Sequence, residues 1–312
     1  MTHGESYRSY PCSALFDISK CFYRVLKGFL LFFLNYVMPP KPKSLFGEVA
    51  LVTGAGGGLG RELSLQLTDL GVKVICVDIN KVSVEETCRI TQKKGSLGSR
   101  AFVCDVSVPK EVGDLVKKIS LLEDELGPIT MLFNNAGIAH CKPFLKHTNE
   151  EIQSLFQVNV ISHMYLIKEY LPKFLGANKG HLVSIGSIAG SIGTANLVPY
   201  CSTKYAIRGL TESLFMELRE MYPNTSVKMT TAHPYTISTS LIPKPKNRFN
   251  SLFPIMNACD VASNVIGAVR RDEEVISMPP FASLASSFYK CFPRQVQLAI
   301  LDLLECGVYE SG

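Results

Sequence analysis

The 10 cysteines of this chain include no CxxC pair, and its six histidines (positions 3, 140, 147, 163, 181 and 233) show no HxxxH-type spacing. Without pairing motifs the expectation is reduced thiols in a reducing compartment. Without ligand spacing a metal site is not expected. Charge is scarce: 19% of the 312 residues are charged and the net charge is +5. Lys and Arg gather only around Lys41 to Lys43 and Lys244 to Arg248, too local for a nucleic-acid footprint. There is no internal repeat and no low-complexity run. The N-terminal segment holds no uncharged stretch longer than the 13 residues from Gly28 to Pro40, whereas a spanning helix needs about 20. What the chain does have is apolar material, 46% of its residues, which suffices for a full core and argues against disorder.

Three zones are visible. An apolar segment over residues 13–40 ends at Met38-Pro39-Pro40-Lys41-Pro42-Lys43, where the prolines stop any helix. From about 45 to 280, short β-branched runs alternate with helical patterns. Strands are predicted at Val49–Thr53, Lys73–Asp78, Ala101–Cys104, Ile129–Asn134, His181–Ser187 and Ser226–Ala232. Helices are predicted at Leu59–Leu70, Lys110–Leu126 and Glu150–Phe174. This alternation predicts an α/β fold: a Rossmann-type, doubly wound parallel sheet in three layers. Residues 281–312 are apolar with helical spacing. The expected organisation is an N-terminal anchor (1–43), a dinucleotide-binding catalytic domain (44–280) and an apolar helical extension (281–312).

The first strand runs into Gly54-Ala55-Gly56-Gly57-Gly58-Leu59-Gly60 and then at once into a helix pattern. Glycines there permit a sharp turn and a close backbone approach to a pyrophosphate, and the helix N-terminus offers free N–H groups and its positive dipole end. The strand–glycine–helix context makes the cluster a dinucleotide site. Asp78 ends the second strand, 18 residues past Gly60. Its carboxylate suits the hydroxyls of an adenosine ribose and repels a 2′-phosphate, so NAD(H) is favoured over NADP(H).

Tyr200 and Lys204 stand four residues apart, on one face of a helix, and Ser187 ends a strand 13 residues earlier. The three can converge on one reacting carbon at the carboxyl edge of a parallel sheet. Alcohol–carbonyl chemistry needs a hydride donor or acceptor, which a nicotinamide supplies. It needs a proton carrier, for which Tyr200 suits. It also needs a group to polarise the substrate oxygen, for which Ser187 suits. The Lys204 ammonium is expected to lower the Tyr200 pKa from about 10.

These features, Thr53-Gly54-x-x-x-Gly58-x-Gly60, Asn134-Asn135-Ala136-Gly137, Ser187 and Tyr200-Cys201-Ser202-Thr203-Lys204, resemble the short-chain dehydrogenase/reductase superfamily over residues 45–280. The resemblance implies Asn159 as a fourth catalytic residue, holding a water that links Lys204 to solvent. It implies Asp105 at the adenine, Asn134 and Ala136 along the adenosine, and Thr239 at the nicotinamide carboxamide, beside the phosphate loop of Gly54, Gly58, Leu59 and Gly60. It also implies a homodimer through the helices Glu150–Phe174 and Tyr200–Leu218. One departure stands out: Tyr235 follows Pro234 where the family usually has glycine, which puts the local geometry at the nicotinamide in question.

In the N-terminal segment Leu15, Phe22, Leu26, Phe29, Leu30 and Phe33 fall on one helical face and Lys20, Arg24 and Lys27 on the other. Such a helix suits a membrane interface, with packing on the enzyme itself as the alternative; a cleaved signal peptide is not expected. The segment after Thr239 carries Leu241, Ile242, Phe249, Leu252, Phe253, Ile255 and Met256, an apolar lid for a lipophilic substrate. Lys244, Lys246 and Arg248 there suit anionic headgroups or plain solvent. With His181-Leu182-Val183 before the serine, the whole is similar to a branch of retinal, retinol and lipid-droplet hydroxysteroid dehydrogenases. That likeness implies an endoplasmic-reticulum or lipid-droplet surface with the catalytic domain facing the cytosol, and retinol/retinal ahead of a hydroxysteroid or long-chain alcohol. A catalytically idle scaffold of the same fold is the alternative of another class.

Overall fold

A computed structural model describes residues 11–95, 98–239, 241–242, 245–246, 248–251, 253–305 and 307–309. Lys244 and Leu252 of the expected lid lie outside the described residues. The chain divides into two compact units at Pro42/Lys43.

The first unit contains helix α1 (Pro11–Val37). At 27 residues it is about 40 Å long, so length would suffice for a bilayer. Asp17, Lys20, Arg24 and Lys27 interrupt its apolar character, and among the described residues no helix is long and apolar enough to cross a membrane.

The second unit runs β1 (Val49–Thr53), α2 (Gly58–Asp69), β2 (Lys73–Asp78), α3 (Lys81–Lys93), β3 (Arg100–Val103), α4 (Pro109–Ser120), α5 (Glu123–Leu126), β4 (Met131–Asn134), α6 (Asn149–Phe156), α7 (Ser162–Gly176), β5 (His181–Ile185), α8 (Val198–Met221), β6 (Lys228–Pro234), β7 (Thr236–Ile237), β8 (Pro245–Lys246), β9 (Ile255–Met256), α9 (Ala258–Arg270), β10 (Val275–Met278), α10 (Ala282–Lys290), α11 (Arg294–Leu304) and β11 (Gly307–Val308). Seven strands form one parallel sheet in the order β10-β6-β5-β4-β1-β2-β3. The chain winds outward from β1 through β2 to β3, then returns to β4 and winds the other way. The crevice between the carboxyl ends of β1 and β4 is the topological switch point where such sheets bind ligands.

Both faces of the sheet are covered. Ala50 and Val52 of β1 face Leu63 and Leu67 of α2 and Val265 and Val269 of α9. Val49 and Leu51 face the other layer, with Leu115 of α4 and Leu166, Tyr170 and Phe174 of α7. This is the three-layer arrangement expected, because strands buried on both faces read as continuous apolar runs. Local signals set the helix starts. Asn80 caps α3 by accepting from the Ser83 N–H, and Thr148 and Glu151 form a capping box at α6.

Besides the two-residue strands β7, β8, β9 and β11, three elements differ from expectation. The helix predicted over 110–126 breaks into α4 and α5. The one predicted over 150–174 contains a π-helical turn, Gln157–Ile161. The strand β10 was not anticipated. Its four residues are too few to show a period beside Glu274 and Pro279, and pairing with Thr231–Pro234 of β6 holds them extended.

Candidate active site

The end of β1 is tied to the end of β4 by one side chain. Thr53 Oγ1 donates to the Phe133 carbonyl (3.2 Å) and accepts from the N–H groups of Asn135 and Ala136 (3.0 Å each). Gly54 and Gly58 adopt φ of +65° and +50°, the left-handed region that favours glycine. A Cβ on Gly60 would lie 2.0 Å from the Gly54 carbonyl oxygen, so only glycine lets α2 approach the loop. Helix α2 starts at Gly58 with no side-chain cap, leaving its first N–H groups available to an anion. Asp78 Oδ2 accepts from the Gly56 N–H and Oδ1 from the Asn80 N–H, each 2.9 Å. The carboxylate thus braces the glycine loop while lining the cavity beside it.

That cavity, about 280 Å³, runs along the carboxyl ends of the strands past Gly58, Asp78, Ala136, Ser187, Tyr200 and Thr239. The uncapped helix, the left-handed glycines and the carboxylate lining the cavity beside them together fit a nicotinamide dinucleotide. Further along, Ser187 leaves β5 and caps a short turn, accepting from the Ala189 N–H at 3.1 Å. Tyr200 and Lys204 project from the first turns of α8, which a proline starts. Both are 4% exposed. Lys204 Nζ donates to the Ile185 carbonyl at 2.9 Å and lies 5.6 Å from the centre of the Tyr200 ring.

Burial pulls the Lys204 amine down to about 8. It pushes the Tyr200 phenol above its ordinary range, and the hydrogen bond with Ser187 opposes this only in part. The expected net lowering of the phenol's pKa is not found: the ammonium is bonded to Ile185 rather than to the phenol, and loss of water around Tyr200 dominates. Free of ligand, Tyr200 is a proton donor at neutral pH.

Asn159 sits in the π turn, fully buried. Its Oδ1 accepts from the Ile138 N–H (2.8 Å), and its Nδ2 donates to the Ile138 carbonyl (2.9 Å) and to Thr203 Oγ1 (3.1 Å). It therefore ties the segment after β4 to α8 between Tyr200 and Lys204.

With that geometry in place, the comparisons are decisive: the sequence profile described as short chain dehydrogenase matches residues 48–248. The chain belongs to the short-chain dehydrogenase family. It is accordingly an NAD(P)-dependent oxidoreductase acting on CH–OH groups. This short-chain dehydrogenase is 34% identical to short-chain dehydrogenase/reductase family 16C member 6 of Bos taurus, over 89% of this chain and 88% of the relative. It is 34% identical to epidermal retinol dehydrogenase 2 of Homo sapiens (88% of each) and 29% to human 17-beta-hydroxysteroid dehydrogenase 13 (92% of this chain, 93% of the relative). Among solved structures, a short-chain dehydrogenase/reductase from Burkholderia phymatum in complex with NAD superposes with a TM-score of 0.69 at 22% identity, over 78% of this chain and 93% of that one. A metagenomic short-chain oxidoreductase in complex with NADP gives 0.61 at 24% identity, over 75% and 96%. These two share the fold.

In this short-chain dehydrogenase, Gly54, Gly58, Leu59, Asp78, Ala136, Ser187, Tyr200, Lys204 and Thr239 line one cavity. Gly60, Asn159 and Asn134 are not among its lining residues; Asn134, at the end of a strand buried along its whole length, is fully buried. Asn135 takes the lining position, donating to the Thr53 carbonyl at 2.8 Å. Asp105 is not among the lining residues; its Oδ1 accepts from the N–H and hydroxyl of Ser107. Tyr235 keeps a negative φ, so glycine's freedom is not needed there, and its N–H donates to the Met278 carbonyl at 2.8 Å.

A second cavity, about 190 Å³, shares Ser187, Tyr235 and Ile242 with the first. Its far wall is Ile300, Leu301 and Leu304 of α11, with Val308. Sequence reading noted the helical spacing of this extension but gave it no role. Of the expected lid, Leu241 and Ile242 line the first cavity and Phe253 the second. Lys246 lies 4.0 Å over the Tyr309 ring and Arg248 pairs with Glu305, so both are engaged with the C-terminal segment.

Proposed function

We propose that this enzyme interconverts a lipophilic alcohol and its carbonyl with NAD(H), and that retinol/retinal is the first substrate pair to test. The observation that carries this reading is the apolar chamber opening directly on Ser187. Its volume of about 190 Å³ exceeds many times the roughly 15 Å³ that one water needs, and its walls reward apolar surface at about 25 cal/mol per Å². Relatives bearing retinol and 17-beta-hydroxysteroid dehydrogenase names support the same substrate class.

Bound in the first cavity, a nicotinamide supplies the hydride acceptor or donor. The chain's own residues do the rest. Ser187 holds the substrate oxygen, and Tyr200 gives its phenolic proton to a carbonyl being reduced or takes the hydroxyl proton of an alcohol being oxidised. Lys204 stabilises the phenolate, and Asn159 fixes the helix that presents both. Asp78 supports NAD(H): it meets the ribose end, while the Arg61 guanidinium is occupied by the Gly56 carbonyl (2.6 Å) and Thr87 Oγ1 (3.0 Å). Helix α1, with Leu15, Phe22 and Phe29 exposed opposite Lys20 and Lys27, supports a place at the surface of the endoplasmic reticulum or a lipid droplet.

The test is a panel of retinoids, steroids and long-chain alcohols with NAD+ and NADP+, using membrane-reconstituted protein. Retinol turnover with NAD+ is expected. A preference of about tenfold or more for NADPH, some 1.4 kcal/mol, would sink the cofactor assignment, and no turnover of any lipid alcohol would sink the substrate class.

A further inference from the structure

Helix α10 faces a cavity on one side and carries an apolar stripe on the other. Its inner side, with Ala282, Ser286 and Tyr289, lines the second cavity. Its outer side carries Phe281, Leu284 and Phe288 at helical spacing, 39%, 76% and 64% exposed. An exposed apolar stripe of this kind is normally covered by a partner or a lipid surface.

The outer stripe is also connected to the active site. The Phe281 ring packs on Phe253 with centres 5.5 Å apart, and Phe253 packs on Tyr235 at 5.3 Å. Tyr235 lines both cavities. An aromatic chain therefore leads from the exposed face to the wall beside Ser187. Beyond the end of the stripe stands the exposed cation Arg294, while the Lys290 ammonium lies 5.1 Å from the centre of the Tyr205 ring on the other side of the helix. Among the described residues of this segment the acidic ones, Asp302 and Glu305, are at α11 and its end, and Glu305 is paired with Arg248.

We propose that the outer face of α10 docks on an anionic phospholipid surface and that lipid alcohols pass from it to Ser187 along Phe281, Phe253 and Tyr235. The route rests on the lipophilic-substrate reading; the docking face does not. A second copy of the chain fits this face less well. Three side chains, themselves part-buried, offer far less than the ~800 Å² per partner of a stable interface. A lipid surface requires no matching patch and is drawn to the Arg294 cation beyond the stripe's end.

The chain contains no tryptophan, so Phe288→Trp in the full-length protein installs a single fluorescent reporter. Vesicles of phosphatidylcholine and phosphatidylserine carrying brominated acyl chains should quench it at least about twofold. Leu121→Trp, at an 82% exposed position after α4, should remain unquenched. No quenching at 288, or equal quenching at both positions, would overturn the docking face. A blue shift that grows with protein concentration in the absence of lipid would overturn it too, by assigning the face to a second copy.

For the route, the Leu284→Glu/Phe288→Glu double variant is assayed with retinol dissolved in the same vesicles and with retinol presented on cyclodextrin. Vesicle-fed turnover should fall at least about fivefold, while cyclodextrin-fed turnover stays within about twofold. Equal loss from both sources, or no loss from vesicles, would overturn the route. Wild-type protein inert with retinol from either source, yet quenched at 288, would defeat the retinoid reading and leave the docking face standing.

Discussion

At the scale of single residues the site is governed by contacts below van der Waals distance and by loss of water. Gly60 shows the first. An alanine there places its Cβ 2.0 Å from the Gly54 carbonyl and 2.6 Å from Asn135 Nδ2, backbone and a bonded amide that have no room to retreat. Gly60→Ala should cost about 3 kcal/mol of stability, or weaken cofactor binding more than about tenfold. Gly113→Ala, with nothing within 4 Å on helix α4, should instead stabilise by up to about 1 kcal/mol. Urea denaturation of both variants checks the contrast, and equal effects would refute it. Tyr200 shows the second. With its buried phenol as the proposed proton carrier, Tyr200→Phe should abolish turnover while leaving NAD+ binding, read by calorimetry, within about twofold of wild type. Retained turnover would refute the mechanism. That Ser187, Tyr200 and Lys204 share one cavity was legible in the sequence, because a four-residue spacing on a helix is local. The upward shift of the Tyr200 phenol was not, because desolvation is imposed by neighbours distant in the chain.

At the scale of elements, the π turn before α7 matters most. It turns Asn159 toward both the segment after β4 and α8, where its amide makes three hydrogen bonds. Asn159→Ala leaves the buried polar groups of Ile138 without partners, at a cost of about 2–4 kcal/mol. If the tie also positions Tyr200 and Lys204, kcat should fall more than about tenfold, with the KM for cofactor changing much less. Lost stability with unchanged kcat would reduce Asn159 to a structural role. The extra residue of a π turn leaves no mark in the hydrophobic period, so the sequence reads here as one continuous helix. The extension behaves likewise. Its spacing predicts helices, but which face of α10 and α11 meets the catalytic chamber depends on the return of β11 to β8.

At the scale of the whole molecule, three buried histidines dominate the response to acid. Burial, with Lys204 and Lys43 respectively as the next cause, holds His163 and His181 down to about 3. Burial and Arg208 hold His233 down to about 4. Unfolded, such rings gain a proton below about pH 6.5; folded, they do so only near 3 to 4. Their contribution is fully present above pH 6.5 and is lost as pH falls, by roughly 1.4 kcal/mol per pH unit for each ring. Urea midpoints should therefore drop steeply between pH 6.5 and 5, before the lowered carboxyls of Glu86, Glu150 and Glu151, ordinarily at 4.5, begin to titrate. A flat profile over that interval would show that the rings are protonated in the folded state.

Taken by itself, the sequence determined the parallel α/β class, the glycine loop with Asp78, and the Ser187, Tyr200 and Lys204 set. Each rests on periodicity or spacing within a few residues, which the chain carries locally. Tertiary structure decided the rest. It turned Asn134 inward and put Asn135 at the cavity, added β10 at the sheet edge, raised the Tyr200 phenol, and folded the C-terminal helices into the wall of an apolar chamber. These outcomes depend on side chains brought together from distant parts of the chain, where burial and packing, not local propensity, set the energy.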